Sequence, residues 1–520
     1  MLGTAGLTAL AQADPKNGTS RGSLGDHWAT PTSTEVVARG SIAGRFTTKS
    51  GKGIAKATVV VSTGADEDDA NNESEVKTDS TGRFTVADLS PGDYKVMFID
   101  RTKRVQYAYG KGNRAAANVF TVRSGQTTTV NDEQVAPATL RITAVNARTG
   151  KQLRAFCTYL DDLPENERCT KKSVVVIKNL RADRIRVSVH PTSGSLYLAR
   201  TDLWATTVAG RTTRFAAKLQ LGGKIDTTVV DRGTGRAVQD VCIDAMTPNR
   251  ADLPSGYGGC TDANGRSRTD PLAPGIYNLF ITTDGDNGDN RGGYGSQWVG
   301  DTGGTGDQRA AATITVRAGK VVSAPKARLD KAGSITGTVT TADGKPVPHG
   351  DASIRVTTDQ LPADGNIDDQ GRYTVENLGP YRWPLVFHTD LGRQWSGNKG
   401  NRYAATAVQV IAGKTATHNE VVHAQPVVTG TVSLRTGAIR WGRLTSYAAS
   451  TGDQVMEVDI APDGTFTMPV PGGERVKISY YVRRRPDGVS GWHGGAKTFA
   501  QATIVDMPVT GAQTLNFTVG

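Results

Sequence analysis

The chain has 520 residues, which at about 100–200 residues per domain predicts three to five domains and excludes one large core. Hydrophobic residues at 37%, charged residues at 21% and a mean hydropathy of −0.37 leave too little apolar sequence for a membrane span but enough to fold; 61 glycines and 22 prolines make the chain turn-rich without a collagen or disordered composition. The net charge of +11, from 61 basic and 50 acidic residues, averages about one surplus charge per 47 residues, and on that average no nucleic-acid partner is expected.

Residues 1–13 end in Ala11-Gln12-Ala13, the small-x-small pattern of a signal-peptidase site, and read as a residual secretory signal lacking its basic n-region. Residues 14–38, rich in Gly, Ser, Thr and Asp, read as a flexible leader.

The unit 39–136 opens with Gly40-Ser41-Ile42-Ala43-Gly44-Arg45-Phe46, a period-two strand followed by a glycine turn, and continues with the valine-rich strand Ala57–Val61. Asp79 to Gly82-Arg83-Phe84 then predicts a tight turn in which glycine supplies positive φ and Asp bonds the turn backbone, and Pro91-Gly92-Asp93-Tyr94 predicts a second turn. A late loop carries Tyr109-Gly110. The acidic run Asp66, Glu67, Asp68 and Asp69 reads as a solvated hairpin tip.

The unit 138–221 lacks both turn motifs and is placed by position and length. It holds Cys157 and Cys169, as the unit 222–330 holds Cys242 and Cys260. Three pairings are formally possible, and the local one needs the least rearrangement. Each local disulfide closes a loop of about 10 to 20 residues, worth about 3 kcal/mol in the chain-entropy account, and agrees with an exported protein.

The third unit repeats the pattern with Asp262 to Gly265-Arg266 and Pro274-Gly275-Ile276-Tyr277. Its run Asp284-Gly285-Asp286-Asn287-Gly288-Asp289 places Asp284, Asp286 and Asp289 as candidate calcium ligands, although a twelve-residue calcium loop ends in Glu and the corresponding residue here is Gly295. A polar loop is the favoured reading, with no cofactor expected and calcium the alternative.

The unit 331–424 repeats Gly333-Ser334-Ile335-Thr336-Gly337-Thr338-Val339 and Asp368 to Gly371-Arg372-Tyr373, but has Gly379-Pro380-Tyr381 at the second turn. The unit 426–520 keeps Asp463-Gly464-Thr465-Phe466 and Pro471-Gly472. Short strands at this spacing, without a helical stripe, predict an all-β tandem array of about five Ig-like or prealbumin-like sandwiches. Pro137, Pro325 and Pro426 stiffen the short linkers.

In the first, third and fourth units the G-x-I-x-G-x-V strand, the D-x-x-G turn, the P-G-x-Y element and the aromatic-glycine loop resemble the carboxypeptidase regulatory-like repeat. This is a transthyretin-like or carbohydrate-binding-like sandwich of secreted actinobacterial type. The resemblance implies a β-sandwich used as an appendage, a stalk or a sugar-binding unit.

Four late-loop aromatics, Tyr109, Trp298, Trp395 and Trp492, are candidates for stacking on the apolar face of a sugar; the alternative is that they plug the sandwich cores. The seven histidines are scattered, and no HExxH, GxSxG, Walker or dinucleotide motif occurs. Basic clusters at Arg101, Lys103 and Arg104, at Arg181, Arg184 and Arg186, and at Arg483, Arg484 and Arg485 read as solvated edges, with contact to an anionic polymer as the alternative. The expectation is a secreted, monomeric, non-enzymatic array binding polysaccharide or cell-wall polymer. The alternatives are a spacer or adhesion stalk with a protein partner, and an α-amylase-like hydrolase.

Overall fold

The computed structural model describes residues 38–63, 71–160, 167–248, 256–283, 292–354, 363–483 and 488–519. The fold is all-β: tandem Ig-like sandwiches of short strands, with 3-10 turns at Gln308–Ala310 and Phe499–Gln501 and no α-helix among the described residues. No helix there is long and apolar enough to cross a membrane. The candidate calcium ligands Asp284, Asp286 and Asp289, the acidic run Asp66–Asp69, and residues 1–37 lie outside the described residues.

Two compact units divide the chain, one of residues up to Phe98 with Asn118–Glu133, the other of Ile99–Ala117 with Gln134 onward. In the first, Gly40–Thr47 lies between Arg83–Leu89, antiparallel, and Thr127–Thr129, parallel, with Asp132–Glu133 continuing the parallel ladder. Alternation sends Ile42 and Phe46 inward, where Phe46 stacks on Phe98 at 4.4 Å.

The second unit repeats this plan from residue 138 to the end. Each sandwich opens with a central strand, at Ala138–Asn146, Lys224–Asp231, Gly333–Thr341 and Val427–Leu434, flanked by one antiparallel neighbour and by the last strand or strands of the same sandwich running parallel to it. The parallel partner differs in one respect. In the second sandwich Ala138–Asn146 pairs with Thr212–Leu219 over an unbroken ladder, Thr139 to Asn146. In the fourth and fifth the ladder breaks in two at Gly337 and Gly430. A Cβ at Gly337 would lie 1.7 Å from the His418 carbonyl oxygen, and at Gly430 1.9 Å from that of Leu515, so the crossing strand presses against bare backbone. Ile142 holds the matching position in the second sandwich, and the strand there passes at ordinary ladder distance.

The D-x-x-G turns form as the motif predicts. Asp368 Oδ1 accepts from the amides of Gln370 (3.0 Å) and Arg372 (2.8 Å), and Asp262 does the same for its turn, whereas in the fifth sandwich Asp463 Oδ1 accepts from the amide (2.9 Å) and hydroxyl (2.7 Å) of Thr465. Gly371 sits at φ +72°, with the Val339 carbonyl 2.4 Å from where a Cβ would be. The P-G-x-Y tyrosine bonds back to the carbonyl four residues upstream, Tyr277 to Ala273 at 2.8 Å. In the fourth sandwich, where the turn is altered, Trp383 takes this part, its Nε1 donating to Gly379 O at 2.7 Å. Cys157 joins Cys169, and Cys242 joins Cys260, each bridging directly opposed residues of an antiparallel pair.

Candidate functional site: the junction of the third, fourth and fifth sandwiches

The strands Cys242–Met246 and Gln297–Val299 of the third sandwich are buried throughout, and Gly275–Thr282 is buried from Tyr277 to Ile281, against the alternation expected of a sheet with one wet face. Leu279 and Ile281 point into the third sandwich's own core. Met246, Phe280 and Trp298 point the other way, into one apolar cluster with Ile335, Tyr373, Trp383 and Phe387 of the fourth. Phe280 meets Trp298 edge-on at 5.1 Å and Trp383 at 6.4 Å. At a generic 25 cal/mol per Å2 of apolar surface, rings of this size supply several kcal/mol of burial.

Backbone and charge lock the same joint. Ser296 donates to Asn377 O (2.8 Å) and accepts from Gly379 N (3.0 Å). Asp330, in the linker, accepts from the Tyr381 hydroxyl at 2.5 Å and pairs with Arg232 at 2.6 Å. Burial pushes the Tyr381 phenol well above its ordinary range, and the Asp330 carboxylate adds to the shift, so it stays a donor.

Beside this joint lies a cleft of about 480 Å3, lined by Trp298, Asp307, Arg309, Tyr381, Arg382 and Tyr403 among others. Two of its arginines, Arg309 and Arg402, meet carboxylates. Arg309 forks onto Asp307 (Nη2 to Oδ2, 2.7 Å) while its guanidinium covers the Tyr403 ring at 4.4 Å. Burial raises the Asp307 carboxyl, but bonds from Arg309 outweigh it and leave the group below the usual range. On the far side Arg402 meets Asp453 of the fifth sandwich at 3.1 Å, both buried, and Asn401 donates to Glu474 at 3.1 Å. The loop bearing these residues hangs on Glu420, which accepts from the amides of Gly397 and Asn398 and from Gln394. Chemically the cleft is a joint. Arg309 and Arg402 are spent on carboxylates and a ring, Arg382 donates to the Ala407 carbonyl at 3.3 Å, and among the described residues the lining holds no Ser, Cys, Lys or His.

Burial corrects part of the expected sugar site. Trp298 and Trp395 are each 2% exposed, so neither offers a face to a sugar. Trp298 does sit on the outside of its own sandwich; the fourth sandwich covers it. Trp492 is partly buried between Tyr447 (5.2 Å) and Phe499 (5.5 Å), and Tyr109 is exposed. The accessible tryptophans include two that the motif reading passed over, Trp204 under the Arg184 guanidinium (4.6 Å) and Trp441 beside Arg443 (5.1 Å) and Tyr481 (5.7 Å). Strand alternation was the available signal, since both lie in strands rather than late loops. Cys157, Glu167 and Cys169 cluster within 4.8 Å, but the thiolates are consumed by the disulfide.

No protein-family model matches the chain, and no curated protein matches it in sequence. Among solved structures the chain is similar to the Bacillus anthracis TIE protein, over 75% of either chain at 13% identity and a TM-score of 0.17. It is also similar to the minor pilin of Streptococcus agalactiae, over 35% of this chain and 95% of that one at 11% identity and TM-score 0.24. A streptococcal ancillary pilin aligns over 56% and 99% at 12% identity and TM-score 0.19. Superpositions this loose carry nothing about what the chain does.

Proposed function

We propose that the protein is a non-enzymatic, secreted spacer whose third, fourth and fifth sandwiches act as one stiff piece. The observation that carries this reading is the apolar cluster in which Phe280 and Trp298 of the third sandwich pack with Trp383 and Phe387 of the fourth. Inter-domain contacts that permit motion are small and polar; a shared core, a backbone bridge and a buried ion pair are what a joint needs to resist bending. The two disulfides support export, because such bonds persist in oxidising compartments. The fold alone assigns no activity.

The test is a pair of spin labels on exposed positions of the third and fourth sandwiches of the full chain, at Arg317→Cys and Lys414→Cys. A single narrow distance distribution is expected. A broad distribution spanning tens of ångströms would remove the spacer reading. In parallel, incubation with starch, cellulose and chitin is expected to release no reducing sugar, and release would replace the spacer with a hydrolase.

A further inference from the structure

The chain-wide charge average conceals a concentration. Residues 138–221 hold 15 Lys and Arg against 6 Asp and Glu, so the second sandwich carries +9 of the chain's +11. The three strands Val175–Leu180, Ala138–Asn146 and Thr212–Leu219 form one of its sheets, and none of them contains an acidic residue. Alternation buries Leu140, Ile142, Ala144, Ile177 and Ala217 on the inner face. It therefore turns Arg141, Lys178, Arg214 and Lys218 outward, with Thr139, Thr143 and Thr212 among them.

Arg141 and Arg214 stand directly opposite each other in the parallel ladder. Like charges in that relation destabilise a sheet. None of the four cations has an ion-pair or side-chain hydrogen-bond partner among the described residues. Elsewhere the chain matches its outward arginines, Arg268 with Asp226 on the third sandwich and Arg443 with Glu457 on the fifth. At about 3.3 Å per residue the cations from Lys178 to Lys218 extend roughly 20 Å along the strands.

We propose that this sheet face binds a linear anionic glycopolymer. Four uncompensated cations supply attraction to repeating negative groups, and the threonine hydroxyls between them suit sugar or polyol hydroxyls. The outward positions hold no aromatic ring on which a base could stack, which favours a glycan over a nucleic acid. The inference is independent of the spacer reading.

The experiment compares binding of the full chain to dextran sulfate, to uncharged dextran of the same backbone, and to duplex DNA. The chain should be retained on dextran sulfate at 50 mM salt and not on dextran. The variant R141Q/K178Q/R214Q/K218Q should bind about thirtyfold more weakly, with the salt slope reduced by about one per cation removed, and should melt at the same temperature or higher. The control R148Q/K151Q/K171Q/K172Q removes the same charge from exposed loops of the same sandwich and should lose less than threefold. Equal loss in the control, equal retention on dextran, or tighter binding to DNA than to dextran sulfate would each overturn the proposal.

Discussion

The second sandwich and the third–fourth pair share one strand plan and use it in opposite ways. The second closes its core with its own residues, Leu140, Phe156, Val187 and Leu219 among them, and leaves an outer sheet face bare, basic and unpaired. The third buries both faces of its strand Gly275–Thr282, one against itself and one against its neighbour. A sandwich of this kind therefore has two spare surfaces, and the outward residue of each strand decides whether a surface becomes a joint or stays open. Phe280 makes a joint; Arg141 and Arg214 keep a face in water.

The largest test of this contrast is Trp298→Ala, a deep truncation expected to cost about 3–5 kcal/mol. Hydrogen exchange should rise in both the third and the fourth sandwich, whereas Phe156→Ala, of similar expected cost, should raise it in the second alone. Exchange confined to the third sandwich after Trp298→Ala would dissolve the contrast.

A smaller effect is expected at the crossing glycine. Gly337→Ala drives a methyl into the His418 carbonyl and should cost roughly 1–3 kcal/mol, by the usual penalty for overpacking. Its counterpart Ile142→Val should cost about 0.5–1.5 kcal/mol, the ordinary loss of one buried methylene. Thermal melts of the two variants would show whether the glycine marks a true close approach; a neutral Gly337→Ala says that it does not.

The smallest effect concerns pH. Asp231 and Asn146 cap the first hairpin of the third and second sandwiches, each accepting two backbone or hydroxyl bonds in the turn and each meeting a tyrosine, Tyr294 and Tyr197. The Thr234 amide, with help from the Thr234 and Tyr294 hydroxyls, lowers the Asp231 carboxyl from 3.8 to about 2. A depressed acid lends stability that is complete above the unfolded value and lost as pH falls through the folded one. The hairpin amides of the third sandwich should therefore exchange faster, relative to intrinsic rates, as pH drops from 4 to 2, and those around Asn146 should not. Parallel behaviour of the two hairpins would remove the distinction.

Much of the architecture was legible in the chain. Period-two strands and the D-x-x-G turns follow from side-chain geometry that acts within a few residues, and the cysteine pairing from proximity across hairpins of 12 and 18 residues. The joint was not legible, because Trp298 and Phe280 are core only once another sandwich arrives, and nothing in one strand records what will cover its outer face. The continuous apolar run Leu279-Phe280-Ile281 was the signal available, since a strand with one wet face would alternate. The basic face was missed for a different reason: a mean over 520 residues hides a charge that one sandwich carries. Substitution of Trp383 for the missing tyrosine lay beyond any motif, because it is the ring's hydrogen bond to Gly379 that is kept and not the residue.

The placement of each sandwich's opening strand against its closing strand or strands also fixes how tension would pass through it. Force pulling the chain ends apart enters by the first strand and leaves by the last, and because these run parallel and side by side it slides one along the other. The bonds of the ladder are then loaded together in shear instead of being peeled one by one. The unbroken ladder from Thr139 to Asn146 is the longest such clamp, and the breaks at Gly337 and Gly430 divide the same load between two shorter ones. The sandwich that holds the basic face is thus also the one whose ends are stitched most continuously.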